Sequence, residues 1–403
     1  MKKRGFSFIL TVLISVLIFA VPASADQVCK AEEYLSAYYN VTVPEEYTLE
    51  TANEVLDALG AEPIEGEEFS EEAVVKAGLK LAGLEELALT YINEEAPEKA
   101  AAVLEENGMT CAEEYAPYVA CAIDLGLLES DDITDFLYHC VELSGKGRRY
   151  IGRVSDMNIL TEVDSALNSF TIFDEEELTK LGTQFVLDGA ATGYNLKYAG
   201  YDAHFLDKYT LKYGHSDLRH AVQLIGLLRS EKMDAYIQVE PKVSVYEYMM
   251  DWGDPGDPTP TYAVREVAEN RYLCYAVEYD LEIEFDTTED KEAFHGIIER
   301  YAKKYDDRVD EDGNITKKLL TESWWQPLYS SNTPMENEEF GELTENVIYD
   351  ADGDYSIHTF TLPEDVEKIA EETEKITPDL EVGTATIYVN PAFMRYIKNE
   401  DHQ

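Results

Sequence analysis

The stretch GHSDLRHAVQLIGLLR (214–229) begins the run of this 403-residue chain that decides its fold class. Apolar residues recur in it at helical spacing, and they are Ala221, Leu224, Ile225 and Leu228. This spacing predicts a helix over 218–229. Strand-like runs follow at AYIQV (235–239), YAVREV (262–267) and YLCYAVEY (272–279), and a turn at 269–271 joins the last two. One helix followed by three strands predicts an α+β domain.

The order of these elements resembles the core of transglutaminase-like proteins. In that family Gly-x-Cys opens a helix ending in Leu-x-Arg, and a later strand reads His-Ala-Trp-x-Glu-Val. The matching residues are Ala221, Leu227 and Arg229 in the helix, Ala235 in the next strand, and Ala263, Glu266 and Val267 in the later one. The resemblance implies a papain-like α+β fold for residues 155–290.

The catalytic positions of that family hold other residues in this chain. The nucleophile position falls on Asp217, or on Ser216 one residue out of register, and the histidine position falls on Tyr262. Glu278 or Asp280 would occupy the third position. A carboxylate and a phenol cannot replace a thiolate activated by an imidazole. The resemblance therefore implies a vestigial site with no catalytic residue.

A serine-based site is the alternative at the same place. Ser216 and His220 are four residues apart and would share a helix face, with His215 and Asp217 beside them. The same residues are typical of a helix start, in which Ser216 caps the helix and Asp217 meets its dipole. We favour the cap.

The charge of the chain is strongly acidic. It has 82 acidic and 32 basic residues, a formal net charge of -50, and 45% hydrophobic residues. The hydrophobic content predicts a folded protein, and the negative field disfavours nucleic acid and anionic lipid as partners. We expect no metal site and no cofactor, because neither zinc spacing nor an EF-hand spacing occurs. A loop rich in carboxylates, DWGDPGDP (251–258), could offer ligands to a cation or simply connect two strands.

The N-terminal residues predict secretion. Lys2, Lys3 and Arg4 precede an apolar run, and Ala23-Ser24-Ala25 offers a small-residue cleavage site. This pattern predicts a signal peptide over 1–25 and no membrane segment after its removal. Five cysteines, odd in number, do not imply a disulfide framework, and Cys121 and Cys140 are expected to be buried thiols.

Residues 26–150 predict an all-α module. Thr48 and Ser70 precede amphipathic runs as capping residues, and Gly60 and Gly83 follow as natural stops. These segments resemble S-layer homology repeats, and the residues that match are Tyr118, Val119, Ala122, Gly126 and Leu127. The resemblance implies attachment to a cell-wall polymer. An ordinary small helical domain is the alternative.

The C-terminal residues 291–403 predict an α+β extension. We expect a helix over 291–305, a hairpin over 347–361 with Asp352-Gly353 as its turn, a helix over 363–374 and a strand over 385–389.

The whole chain is therefore expected to be a secreted, non-catalytic binding or scaffold protein of the cell surface or wall, with a pseudo-transglutaminase domain. Its partner would be a cell-wall polymer or an extended peptide chain. The alternative is a secreted hydrolase, or another amide-acting enzyme, that uses a non-standard site on peptide or cell-wall substrates.

Overall fold

The chain forms two compact units in a computed structural model, Met1–Arg149 and Tyr150–Gln403. The structure describes residues 25–66, 68–93, 97–128, 132–144, 151–167, 169–215, 218–301 and 328–400. The predicted signal peptide lies outside them except for Ala25. No helix in these ranges is long and apolar enough to span a membrane.

The regular structure described in the first unit is helical. Its helices are α1 (Ala25–Tyr39), α2 (Leu49–Ala58), α3 (Glu71–Leu81), α4 (Glu85–Leu89), α5 (Lys99–Glu106), α6 (Ala116–Asp124) and α7 (Ile133–Leu143), with a 3-10 turn at Thr90–Ile92. The predicted caps are confirmed: the hydroxyls of Thr48 and Ser70 accept hydrogen bonds from Thr51 N and Ala73 N at 3.2 and 3.1 Å. Gly60 ends its helix with φ of 70°, which only glycine adopts readily.

Close helix packing forms the core of this unit. A Cβ on Gly78 of α3 would lie 2.5 Å from the Phe136 ring of α7, so only glycine allows this approach. Cys121 and Cys140 are buried free thiols, as predicted. Burial raises the pKa of the Cys140 thiol, which makes it unreactive at neutral pH.

The second unit alternates strands and helices. The strands are β1 (Gly152–Arg153), β2 (Gly193–Tyr198), β3 (Thr210–His215), β4 (Ala235–Tyr248), β5 (Tyr262–Ala268), β6 (Arg271–Phe285), β7 (Leu328–Ser331), β8 (Gly341–Tyr349), β9 (Tyr355–Thr361) and β10 (Val382–Val389). The helices are α8 (Ile159–Leu167), α9 (Glu176–Leu187), α10 (Leu218–Ser230), α11 (Thr288–Tyr301), α12 (Val366–Ile376) and α13 (Pro391–Ile397). The mixed α+β class is confirmed, and so is the hairpin of β8 and β9, whose turn contains Gly353 at φ of 75°.

The strands form one antiparallel sheet that closes on itself. The order is β1-β4-β2-β9-β8-β10-β7-β3-β6-β5, and a further pairing of β4 with β6 closes eight strands into a barrel. β1 and β5 extend this barrel from β4 and β6. This architecture is not specifically papain-like. Strands β7–β10 complete the barrel, so these strands from residues 328–389 share one sheet with the strands before residue 290.

The barrel has an apolar outside and a charged inside. On β6 the outward residues are Leu273, Tyr275, Tyr279, Leu281, Ile283 and Phe285, which pack under helices α8 to α12 in two clusters. The residues between them face inward, and they are Cys274, Ala276, Glu278, Asp280, Glu282 and Glu284. Because successive side chains of a strand point to opposite faces, one strand supplies both the helix-covered core and the charged interior.

Helix α13 packs against inward-facing residues of the barrel. Its Phe393 lies in a cluster with Leu343, Ile387 and Val389. The segment after β2 contributes Tyr201, whose hydroxyl donates to the Val239 carbonyl at 3.0 Å.

Candidate functional site

The barrel interior contains a network of buried ion pairs. Lys197 Nζ donates to Glu240 Oε2 at 2.5 Å and to Asp280 Oδ2 at 2.9 Å. Lys242 Nζ donates to Asp280 Oδ1 at 2.5 Å. The register of β4 and β6 sets this geometry, because Glu240 is opposite Asp280 and Lys242 is opposite Glu278. Lys212 pairs with Glu282 at 3.1 Å at the next position along β6.

The pKa values of Asp280, Glu345 and Glu278 depend on whether nearby side chains outweigh the effect of burial. Burial opposes ionisation of Asp280, but Lys242 and Lys197 outweigh it and hold the Asp280 pKa well below its usual range. Burial likewise opposes ionisation of Glu345, and the His358 ring 2.8 Å away lowers the Glu345 pKa to about 2. For Glu278, burial prevails and raises the pKa. The interior therefore holds both firmly ionised and more easily protonated carboxyl groups.

Three of the predicted vestigial residues share this inward face of the sheet. Tyr262 lies at the start of β5, opposite Ala276 of β6. Glu278 and Asp280 are the next two inward-facing residues of β6 after Ala276. Asp280 is paired with Lys197 and Lys242. Ser216 and Asp217 lie outside the described residues.

Tyr262 is a poor replacement for a catalytic base. Burial, and a hydrogen bond with the Cys274 thiol, raise the pKa of Tyr262 to about 12. Burial also raises the pKa of Cys274, despite its hydrogen bonds with Tyr246 and Tyr262. Both groups are therefore protonated at neutral pH, and neither is an activated nucleophile or base.

Helix α10, which would follow the nucleophile, packs on the other face of the sheet. Its Leu224 and Leu228 lie in the outer cluster with Ile237 of β4. Tyr262 belongs to an inward-facing cluster with Cys274. The packed face of α10 and the Tyr262 side chain are therefore on opposite sides of the strands.

One edge of β5 carries hydrogen-bonding groups that the described strands leave open. The N–H of Val277 on β6 donates to Thr261 O, so Ala263 and Arg265 also face β6 through their backbone groups. By alternation, the N–H and C=O groups of Val264 and Glu266 point to the opposite edge. β5 is the last strand in the sheet order. Thr259 bridges Tyr262 at the start of this edge, and within the described ranges no strand pairs with the edge at Val264 and Glu266.

A polar cleft lies beside this strand, between β5 and α9. Its lining includes Glu176, Thr179, Lys180 and Thr183 from α9 and Arg265 and Val267 from β5. Arg265 is fixed in place: it binds Asp174 through two hydrogen bonds of 2.9 and 3.1 Å and lies 4.2 Å above the Tyr275 ring. The cleft and the open strand edge together form a surface that we call the β5 edge site.

The sequence did not reveal the interior network or the β5 edge site. A signal for the network was present, since carboxylates alternate with apolar residues from Glu278 to Glu284 and lysines alternate similarly at 197, 212 and 242. No local signal marks the end of a sheet, which depends on how all ten strands pair.

Comparisons with family models, with curated proteins and with solved structures found no match to this chain. Within the described residues, no group of three or more His, Cys, Asp or Glu side chains is arranged to hold a metal ion.

Proposed function

We propose that this chain is a non-catalytic binding protein that recognises an extended peptide by strand addition at the β5 edge site. The observation that carries the proposal is the open edge at Val264 and Glu266, directly beside the cleft that α9 forms with β5. A peptide along this edge would accept hydrogen bonds from the two N–H groups and donate to the two C=O groups.

The cleft would give the bound strand its specificity. Alternate side chains of an added strand would point to the face of the sheet where Arg265, Lys180 and Glu176 line the cleft. Arg265 is already oriented by Asp174 and Tyr275, so little side-chain entropy is lost when it contacts a ligand.

The electrostatics of the interior favour binding over the hydrolase alternative. The candidate base Tyr262 has a pKa raised to about 12, and Asp280 is held by two lysines. Hydrolysis would need a nucleophile with a lowered pKa or an adjacent base. Turnover of a peptide by the unmodified protein that is lost on Ser216→Ala or Asp217→Asn would favour the hydrolase instead.

The cellular setting belongs to the same proposal. The signal-like residues 2–25 support secretion, and the motif from Tyr118 to Leu127 supports an S-layer homology-like module at the cell surface. The likeness of residues 214–278 to transglutaminase-like proteins rests on sequence motifs alone. Fractionation of expressing cells tests the location, and recovery of the protein from the cytoplasm with residues 1–25 intact would contradict it.

A proline substitution at the open edge tests the binding proposal. Linear peptides selected from a display library against the full chain should bind it, and Val264→Pro should weaken them at least tenfold. Proline removes the outward N–H without breaking a bond to β6. The matched control Val264→Thr keeps the N–H and should bind as the wild type does.

Peptides methylated at alternate backbone nitrogens provide a second test that does not alter the protein. Methylation in one register should abolish binding, and methylation in the other should leave it unchanged, because only alternate N–H groups face β5. A library without binders, or binders that ignore both Val264→Pro and methylation, would refute strand addition.

A further inference from the structure

The inward face of β4, β5 and β6 continues as an aromatic surface beyond the closed part of the barrel. β2 pairs with β4 only over 243–246, and β3 pairs with β6 only over 279–284, so the ribbon of the three strands extends past them. Tyr248, Tyr262 and Tyr272 lie on this extension, and Tyr246 lies at its start, as the last residue of β4 that pairs with β2. Trp252 packs against Tyr248, and we call these five residues the aromatic face. Cys274 lies buried beneath it.

The aromatic face is open at its outer rim. Trp252 is 63% exposed, and its ring stands edge-on to Tyr248 at 5.4 Å between centroids. The Tyr248 hydroxyl donates to Gly253 O at 3.1 Å, which fixes the connection that carries Trp252. Trp252 therefore adds an exposed ring to a contiguous group of half-buried aromatic side chains, and contiguous apolar patches mark interaction sites more often than single exposed rings do.

Carboxylates flank Trp252 in the sequence. Asp251, Asp254 and Asp257 lie in the connection between β4 and β5, and all three are exposed. The loop that could have been a cation site or a plain connection thus places negative charge beside aromatic rings. The strongly negative net charge of the whole chain would also attract a cationic ligand.

We propose that the aromatic face selects a cationic side chain, arginine or lysine, from the peptide that adds to β5. This inference rests on the proposed function and specifies its ligand. Neighbouring residues of the added strand point to opposite faces of the sheet. Those on the side of Tyr262 and Val264 meet the aromatic face, and those between them meet the cleft beside α9.

The chemistry of the two faces predicts a peptide in which cationic side chains alternate with polar ones. Aromatic rings attract a guanidinium or ammonium group through their negative π faces, which changes the dissociation constant roughly two- to thirtyfold per cation. The nearby carboxylates strengthen this preference over an apolar side chain. The α9 cleft, lined by polar groups of both signs, accepts polar side chains at the alternate positions.

Capped octapeptides that alternate threonine with arginine, leucine or glutamate are the probes for this inference. We expect the arginine peptide to bind the full chain at least tenfold more tightly than the other two in about 0.15 M salt, where surface charges are partly screened. Trp252→Ala should weaken the arginine peptide about tenfold and leave the leucine peptide unchanged. Because Trp252 is mostly exposed, the variant should melt as the wild type does.

A charge-matched control separates the local carboxylates from the net charge. The triple variant Asp251→Asn, Asp254→Asn and Asp257→Asn should weaken the arginine peptide severalfold. The control triple Glu364→Gln, Glu367→Gln and Glu371→Gln removes the same charge from exposed positions in and just before α12, and it should change binding less than twofold.

The outcomes distinguish this inference from the proposed function. Equal affinity for arginine and leucine peptides, with sensitivity to Val264→Pro retained, would overturn cation selection and leave strand addition standing. An arginine preference that survives Trp252→Ala would also overturn cation selection. So would one that the control triple weakens as much as the aspartate triple does, because the preference would then reflect net charge. Arginine preference that depends on Trp252 but ignores Val264→Pro would overturn strand addition instead.

Discussion

Replacing Lys197 by methionine removes the cation at the centre of the barrel interior. The Lys197 ammonium is 2.5 Å from Glu240 and 2.9 Å from Asp280, and the residue is 5% exposed. Methionine is nearly as long and fills similar space, so the change removes charge with little change in packing. Glu240 then loses its lysine partner, whereas Asp280 keeps Lys242.

The loss of stability follows from the buried charge that is left behind. Removing one partner of a buried ion pair costs about 3–5 kcal/mol. We expect Lys197→Met to lower the free energy of unfolding by this amount at pH 7. A single domain is stable by about 5–15 kcal/mol, so the loss is a large fraction of the total.

Urea unfolding, monitored by tryptophan fluorescence, measures the unfolding free energy of the unit that contains Lys197. The three tryptophans of the chain, Trp252, Trp324 and Trp325, all fall within the sequence range 150–403. The control Lys375→Met breaks an exposed pair with Glu372 on α12 and should change stability by no more than about 0.5 kcal/mol. The double variant Lys197→Met with Glu240→Gln should recover part of the loss, since it removes the stranded charge.

Two results would contradict the placement of Lys197 in the barrel interior. If Lys197→Met and Lys375→Met change the unfolding free energy equally, Lys197 is not buried between two carboxylates. If the double variant is as unstable as the sum of its single changes, the two side chains are not coupled.

Two further predictions concern a carboxyl group and the packing of a helix. Burial raises the pKa of Glu278, so its contribution to stability is complete below the unfolded pKa and is lost as pH rises through the folded value; Glu278→Gln should therefore melt above the wild type at pH 7, with the gap closing toward pH 4, and a constant gap would contradict this. Gly182→Ala in α9 should cost about 1–3 kcal/mol, because its Cβ would lie 2.5 Å from Ile357 and 2.7 Å from Tyr194. Gly226→Ala in α10 meets no atom within 4 Å and should gain up to about 1 kcal/mol, so equal effects of the two changes in thermal unfolding would refute the packing of α9.

Local features of the fold were accessible from the sequence because they depend on residues a few positions apart. The cap at Thr48 needs only the N–H of Thr51, and the stop at Gly60 needs only a positive φ. The turn at Gly353 is equally local. Such signals predict where elements begin and end, but they do not predict which strands meet.

The extent of β4 shows where prediction from sequence ended. The apolar run predicts a strand over 235–239, whereas the strand continues to Tyr248 through Glu240, Pro241 and Lys242. Charged residues ordinarily end a buried strand. Here their partners come from positions distant in sequence: Lys197 is 43 residues from Glu240 and 83 from Asp280.

The sequence predicted neither the interior network nor the β5 edge site, although it drew attention to three residues of the barrel interior. The resemblance selected Tyr262, Glu278 and Asp280, and these three share one face of the sheet. It also implied a papain-like fold, whereas the sheet closes into a barrel. The alternation of carboxylates and apolar residues along β6 fits a strand with one solvent face equally well, so barrel closure had no signature of its own.

Hydrogen exchange at the β5 edge tests the central claim most directly. In the free protein, the amides of Val264 and Glu266 point away from β6 and should exchange rapidly, whereas those of Ala263 and Arg265 are bonded to β6 and should exchange slowly. Saturation with the alternating arginine peptide should slow exchange at Val264 and Glu266. Unchanged exchange at these two amides in a saturated complex would contradict strand addition.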